Sequence, residues 1–290
     1  MNRPTISIIG LGKVGTALLK VLSSHGYQII SAVYKHTVSE TLRTAHPKTK
    51  FSEAIPDALD DLGDLILITV PDDTITEVVN ELDQTFPSLK TKSVAHCSGT
   101  HSSIILKPLS EKGAKIASFH PNQSITASAA TFKGTWFDVE GDEEMITKLK
   151  TIADDLEAEL IKIKAEQKPY LHASAVIASN YLVVLANLMT KASKLGGMNE
   201  EISLKALIPL MRNTLDNIED NGVEDALTGP IARGDMNTVK GHIELISSDP
   251  VLSEMYKSLG REALKLSKLE TTDPDTFVEL QSLLSAHFQK

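Results

Sequence analysis

A chain of 290 residues, 41% of them hydrophobic, holds enough apolar material for two ordinary cores, and its length favours two domains. A formal charge of −9, with Lys and Arg scattered rather than clustered, argues against nucleic acid and anionic membranes as partners and leaves small molecules. Cys97 is the single cysteine, so no internal disulfide forms; the early apolar run stops at a glycine turn, and the runs 65–70 and 176–188 are too short or too polar-flanked to span a membrane, so a soluble cytoplasmic protein is expected.

In chain order, the first predicted element is the strand Ile6-Ser7-Ile8-Ile9, followed directly by Gly10-Leu11-Gly12-Lys13-Val14-Gly15 and a helical pattern over 13–25. A Gly-x-Gly-x-x-Gly turn between strand and helix is a dinucleotide-binding pattern. Gly10 permits the tight turn, Gly12 lets a pyrophosphate approach the backbone, and Gly15 lets the helix pack on the strand with its N-terminus toward the phosphate charge. Further strands are predicted at 29–33, 65–70, 93–96, 116–119, 136–139 and 160–163, with helices at 75–83 and 143–156. Asp72 or Asp73 is available to cap the first of these helices after Pro71. The rhythm predicts a mostly parallel sheet covered by helices. From about Lys168 the strand patterns stop, and helical periodicity runs through 170–195, 203–220, 237–247, 251–266 and 276–289. The first of these helices is long and apolar, as suits a buried central helix or one shared across a dimer. The expected organisation is an α/β Rossmann domain, residues 1–165, followed by an all-α domain for substrate binding and dimerisation, residues 166–290.

An NAD site places an Asp or Glu at the end of the second strand, about 20 residues past the glycines, to bond the ribose hydroxyls. Tyr34-Lys35-His36-Thr37 stands there instead. Lys35, His36 and Thr37 suit a 2′-phosphate, so NADP (NADPH) is the expected cofactor; a solvated loop beside loosely held NAD is the alternative. Thr69-Val70-Pro71 ends a strand at the carboxyl edge where open α/β sheets bind ligands. Val70 and Pro71 therefore join Gly10, Leu11, Gly12, Lys13, Val14, Gly15, Lys35, His36 and Thr37 as cofactor-binding candidates.

His96-Cys97-Ser98-Gly99 and Phe119-His120-Pro121-Asn122 both follow predicted strands and should reach the same edge. An imidazole can pass a proton to a carbonyl or imine while a nicotinamide passes the hydride, so His96 and His120 are candidate catalytic groups; fixing a loop through a local carbonyl is the plainer role. Lys168, His172, Ser179 and Asn180 fall on one helical face among Ala and Val, where buried polar groups need partners. His172 and Asn180 join the catalytic candidates. Ser98, Ser179 and Arg233, the cation of the loop Leu227-Thr228-Gly229-Pro230-Ile231-Ala232-Arg233-Gly234-Asp235, are candidate substrate contacts, although Arg233 can equally pair with Asp235, itself placed to cap the next helix. Cys97 beside His96 lacks further ligands at metal spacing, and no metal is expected.

These segments together resemble the Rossmann-like and DUF2520 domain-containing proteins, related to F420-dependent NADP oxidoreductases. The markers are Ile9-Gly10-Leu11-Gly12-Lys13-Val14-Gly15, Val70-Pro71-Asp72-Asp73, His96-Cys97-Ser98-Gly99, Phe119-His120-Pro121, His172-Ala173 with Ala178-Ser179-Asn180-Tyr181-Leu182, and Leu227-Thr228-Gly229-Pro230 with Arg233-Gly234-Asp235. The resemblance implies a C-terminal helical domain like that of 6-phosphogluconate dehydrogenase, commonly a homodimer through its helices. The segment from Lys168 to His172 also looks like the point where β-hydroxyacid dehydrogenases carry a Lys and, four residues on, an Asn; here His172 takes the second place. Pyrroline-5-carboxylate reductase has a similar layout. The expected activity is NADP(H)-dependent hydride transfer to or from a small, carboxylated carbonyl or imine compound, with His172 or His120 as proton donor, Asn180 orienting the carbonyl and Arg233 the anion. A nucleotide sensor without turnover is the alternative.

Overall fold

The computed structural model describes residues 3–125 and 131–286 and divides the chain into two compact units, Met1–Ser179 and Asn180–Lys290. The first unit carries eight strands: β1 (Ile6–Ile9), β2 (Ile29–Val33), β3 (Lys50–Ser52), β4 (Leu65–Ile68), β5 (Ser93–His96), β6 (Lys115–Pro121), β7 (Trp136–Gly141) and β8 (Glu159–Lys162). They lie in the order β3-β2-β1-β4-β5-β6-β7-β8, every neighbouring pair parallel except β6 with β7.

Strands β1, β4 and β5 are buried at every residue, as strands covered on both faces must be. Alternate side chains feed two cores: Leu65 and Leu67 join Leu18, Leu22, Phe119 and Leu149 in one, whereas Ile66 and Ile68 join Ile75, Leu82, Leu106 and Leu109 in the other. The helices of this unit are α1 (Lys13–Ser24), α2 (Glu40–Ala45), α3 (Asp72–Thr85), α4 (Lys107–Glu111), α5 (Glu143–Asp155) and α6 (Lys168–Val176). Pro71 is the N-cap of α3 and makes no side-chain cap bond; Asp72 and Asp73 lie inside its first turn, which corrects their expected capping role. There they still favour the positive end of the helix.

Beyond α6 the expected continuous helix is interrupted by a π turn at Ile177–Tyr181 before α7 (Leu182–Leu195). A π turn admits an extra residue, so the 3.6-residue period that placed Ser179 and Asn180 beneath Lys168 and His172 does not carry across it. By length and composition alone the run Ala165–Leu195 could cross a membrane. The shorter window 176–188 concealed this.

The second unit continues with α8 (Glu200–Ala226), α9 (Met236–Leu245), α10 (Pro250–Leu266), α11 (Leu269–Thr272) and α12 (Pro274–Ser285). Its core gathers Val239, Ile243, Leu264, Leu269, Leu280 and Leu284. Asp235 caps α9 as expected, accepting from the Thr238 N–H at 3.3 Å. The last predicted helix ends at Ser285, and residues 287–289 of that expectation lie outside the described residues.

The turn between β1 and α1 is shaped by exclusion. Gly10 has φ +107°, a conformation that disfavours any side chain, and a Cβ there would sit 2.7 Å from Val70 Cγ1. A Cβ on Gly15 would overlap the Gly10 carbonyl oxygen. Gly15→Ala should therefore lower stability by about 1–3 kcal/mol through overpacking, read as an earlier urea midpoint. An unchanged midpoint would show that α1 is not held this close.

Candidate active site

A cleft of about 280 Å³ opens at the carboxyl ends of β1, β2 and β4. Among the sequence-selected residues, Gly10, Leu11, Gly12, Lys35, His36, Val70 and Pro71 line it. A Cβ on Gly12 would meet nothing within 4 Å, so the backbone there faces open space. Lys13, Val14 and Gly15 form the first turn of α1, which holds no acidic residue and so leaves its N–H groups available to an anion. Thr37 is exposed and stands outside the cleft lining.

The cleft also contains groups that the sequence did not announce. Glu53, just past β3, and Glu81, on α3, bring carboxylates to its wall, and Tyr34 joins them. Tyr34 accepts a 2.6 Å hydrogen bond from Arg43, whose guanidinium lies 5.0 Å from the Tyr34 ring centroid and 5.3 Å from that of Phe51. Lys35 lies 3.7 Å from Glu77 in an exposed ion pair.

A second constellation lies along the same edge. In the antiparallel pairing of β6 with β7, His120 falls directly opposite Asp138. The imidazole Nδ1 is 2.7 Å from Asp138 Oδ2, and the Asn122 amide donates to the same oxygen at 3.2 Å. Lys168, the first residue of α6, donates to Asp138 Oδ1 at 2.6 Å. Lys168 is 0% and Asp138 2% exposed, whereas His120 retains 16%. Burial by itself would push the Asp138 carboxyl up. The hydrogen bond from His120 and the Lys168 charge together outweigh it and hold the group below its ordinary value. An ionised carboxylate accepts only, so His120 Nδ1 carries a hydrogen and Nε2 is the nitrogen left to exchange a proton.

His172, one helical turn along from Lys168, sets its ring 5.9 Å from that of His120 at 73°. Gly99, just past β5, fits between the two: a Cβ there would overlap His172 Nδ1 and lie 2.9 Å from His120 Nε2. His172 Nδ1 is buried and without a hydrogen-bond partner among the described residues.

His96 differs from these two. Its Nδ1 accepts from the Ser98 N–H at 3.2 Å, and burial, only partly offset by the Ser102 carbonyl, pushes the imidazole down to about 4. It is neutral at pH 7 and suited to holding the loop after β5. The Ser98 hydroxyl accepts from the Thr100 and His101 N–H groups at 3.0 Å each, which shapes that same loop. Burial pushes the Cys97 thiol up to about 12, too high for a nucleophile at neutral pH. Ser179 donates to the Ala175 carbonyl at 2.7 Å. Asn180 and Arg233 belong to the second unit, where the Arg233 charge, after two hydrogen bonds from Thr238, helps hold the Asp235 carboxyl below its usual range.

Asp138 is the central residue that sequence reasoning overlooked. Its signal was present: Trp136-Phe137-Asp138-Val139-Glu140 puts two carboxylates at alternate positions of one strand. Glu140 is also buried and accepts from the Ser103 N–H and hydroxyl at 2.6 and 2.7 Å. No group of three or more metal-ligating side chains occurs among the described residues.

The Rossmann-like domain matches residues 1–121, and the domain of unknown function DUF2520 matches residues 135–263. The chain joins a Rossmann-like domain to a DUF2520 domain. Among solved structures this Rossmann-like and DUF2520 chain is similar to BF3122 of Bacteroides fragilis, described as a candidate NADP oxidoreductase, at 22% identity over 90% of this chain and 97% of the other, TM-score 0.72. It is similar to the protein TM1727 of Thermotoga maritima at 28% identity, over 92% and 99% of the two chains, TM-score 0.68. A reductive aminase of Aspergillus terreus, in complex with NADPH and ethyl-5-oxohexanoate, aligns at 16% identity over 91% and 94%, TM-score 0.66. These likenesses show a shared fold along nearly the whole chain. Among curated proteins none matches.

The state of His96 yields a stability test. Its value falls from 6.5 to about 4 on folding, so between those pH values the unfolded chain takes up a proton that the folded chain refuses. Stability should therefore drop as pH falls through that window, by roughly 3 kcal/mol at most. His96→Gln should flatten this part of the pH–stability curve, leaving the loss below pH 4 to which Asp138 contributes. An identical slope in the variant would mean that His96 is not desolvated.

Proposed function

We propose that this protein is an NADP(H)-dependent oxidoreductase that moves a hydride to or from a small, carboxylated carbonyl or imine compound, with His120 exchanging the accompanying proton. The observation that carries this reading is the pairing of His120 Nδ1 with buried Asp138 on the sheet edge that also bears the glycine turn. The pairing fixes the tautomer and turns Nε2 into the proton-exchanging atom.

The residues present fit a dinucleotide. Gly12 and the first-turn N–H groups of α1 would hold the pyrophosphate, Lys35 and His36 the 2′-phosphate, and Val70 and Pro71 the wall beside the bound chain. When bound, the nicotinamide supplies or accepts the hydride. In the reducing direction, protonated His120 donates from Nε2 to the carbonyl oxygen or imine nitrogen of the substrate; in the oxidising direction, neutral His120 receives that proton. His172 Nδ1, buried and unpartnered among the described residues, is available to hold a polar group of the substrate. Support for imine or carbonyl reduction comes from the fold shared with the reductive aminase. This assignment rests on the first unit alone. A homodimer belongs to the same reading: Val183, Ile202, Leu210, Leu215 and Val223, on α7 and α8, are exposed in the single chain.

The test follows nicotinamide absorbance while purified protein meets NADPH or NADH with a panel of 2-keto acids, cyclic imines and aldehydes. NADPH should be consumed with at least one class, faster than NADH, and His120→Ala should lower kcat by about 10²–10⁴-fold. Equal use of NADH would remove the 2′-phosphate assignment. Nucleotide binding with no turnover of any class would leave a sensor in place of an enzyme.

A further inference from the structure

We propose that Lys168 is a positioning residue that tunes the His120–Asp138 pair through its buried charge, and that it does not itself exchange a proton with substrate. The inference deepens the oxidoreductase reading and rests on it for the identity of the reaction, although the tuning is a property of the free protein.

The Lys168 ammonium is completely buried, and it is 2.6 Å from Asp138 Oδ1, on the carboxylate whose other oxygen holds His120. A group so enclosed reaches substrate only by abandoning Asp138, which would leave a buried carboxylate without the ammonium that balances its charge. His120 keeps the exposure that Lys168 lacks.

Charge counting then gives Lys168 a task. With Lys168 charged and Asp138 ionised, the three-residue cluster is neutral when His120 is neutral and carries +1 when His120 is protonated. Without the ammonium, the same two states carry −1 and 0. Burial disfavours net charge, so Lys168 favours release of the His120 proton, whereas its loss favours retention. Other groups around His120 do not duplicate this. His96 on β5 is held neutral by burial, the neighbouring Cys97 stays a thiol, Glu140 on β7 is engaged by Ser103, and His172 on α6 presents a ring with an unpartnered Nδ1. Among the described residues, the two cations competing for Asp138 are Lys168 and protonated His120.

Proton balance is simple in either direction. On reduction, the bond from His120 Nε2 to hydrogen breaks and a bond from that hydrogen to the substrate heteroatom forms, while the Nδ1–H bond to Asp138 and the Lys168 ammonium persist. On oxidation the same hydrogen returns to Nε2.

The experiment uses the whole chain labelled with ¹⁵N and ¹³C in its histidines, the His120 signals being assigned by comparison with His120→Gln. In wild type without nucleotide or substrate, neutral His120 should be the tautomer protonated at Nδ1. In Lys168→Met the shift–pH curve of His120 should move to higher pH by about one unit or more, and the falling limb of the kcat–pH profile should move with it. Lys168→Arg, which restores the charge, should return both toward wild type. Should Lys168→Met fail to fold, Lys168→Gln keeps a hydrogen-bond donor for Asp138 without the charge and should show the same upward displacement. Curves that coincide with wild type in the charge-free variants would overturn the proposal, as would a wild-type tautomer protonated at Nε2. A displaced NMR curve in a protein that consumes no NADPH would leave the tuning intact and remove the hydride-transfer reading instead.

Discussion

Parallel pairing obliges neighbouring strands to finish at the same edge of a sheet, and the chemistry of this chain is laid out along that edge. The strands β1, β2, β4, β5 and β6 end there with the glycine turn, Lys35, Val70, Gly99 and His120 respectively. One reversal completes the arrangement. Because β7 returns antiparallel to β6, Asp138 at its start meets His120 at the end of β6, and a carboxylate distant in sequence becomes the partner of an imidazole. Had β7 run parallel, its first residues would lie at the opposite edge, away from His120.

Burial is the variable that separates the imidazoles along this edge. His96 is enclosed, and burial pushes it to the neutral form; His120 keeps some exposure and stands beside an ionised carboxylate, which in turn is held by an ammonium. Two histidines that look alike in the sequence thus come to differ: His96 holds the loop after β5, whereas His120 is paired through Nδ1 and is the one proposed to carry a proton. Gly99 contributes by absence, since a side chain there would displace both His120 and His172.

Much of this was legible beforehand where local physics decides. The runs at β1, β2 and β5 are apolar enough, and flanked sharply enough by turn residues, that their limits can be read from the sequence. By contrast, β3 holds one apolar residue in three, and α2 is a single short turn-and-a-half capped by Ser39; neither produces a period long enough to detect. Missing β3 also hid Glu53, which the strand delivers to the cleft at the ends of β1, β2 and β4. The π turn at Ile177–Tyr181 has no compositional signature, so a regular helical wheel does not describe Ser179 and Asn180 within it. Lys168 was visible on its helix, yet lysines are so seldom fully buried that its pairing with Asp138 required the strand register of β7 and the placement of α6. The glycine turn was read correctly in its sterics, with Gly10 and Gly15 confined and Gly12 open.

The open backbone at Gly12 is the proposed seat of a nucleotide pyrophosphate, and without a bound nicotinamide His120 would have no hydride to accompany. Calorimetric titration of NADPH into wild type and Gly12→Ala addresses this directly. Since an added Cβ meets no protein atom within 4 Å, the variant should unfold within about 1 kcal/mol of wild type while binding NADPH at least about tenfold more weakly. Equal affinity in the two proteins, or a wild type that binds neither NADPH nor NADH, would contradict it.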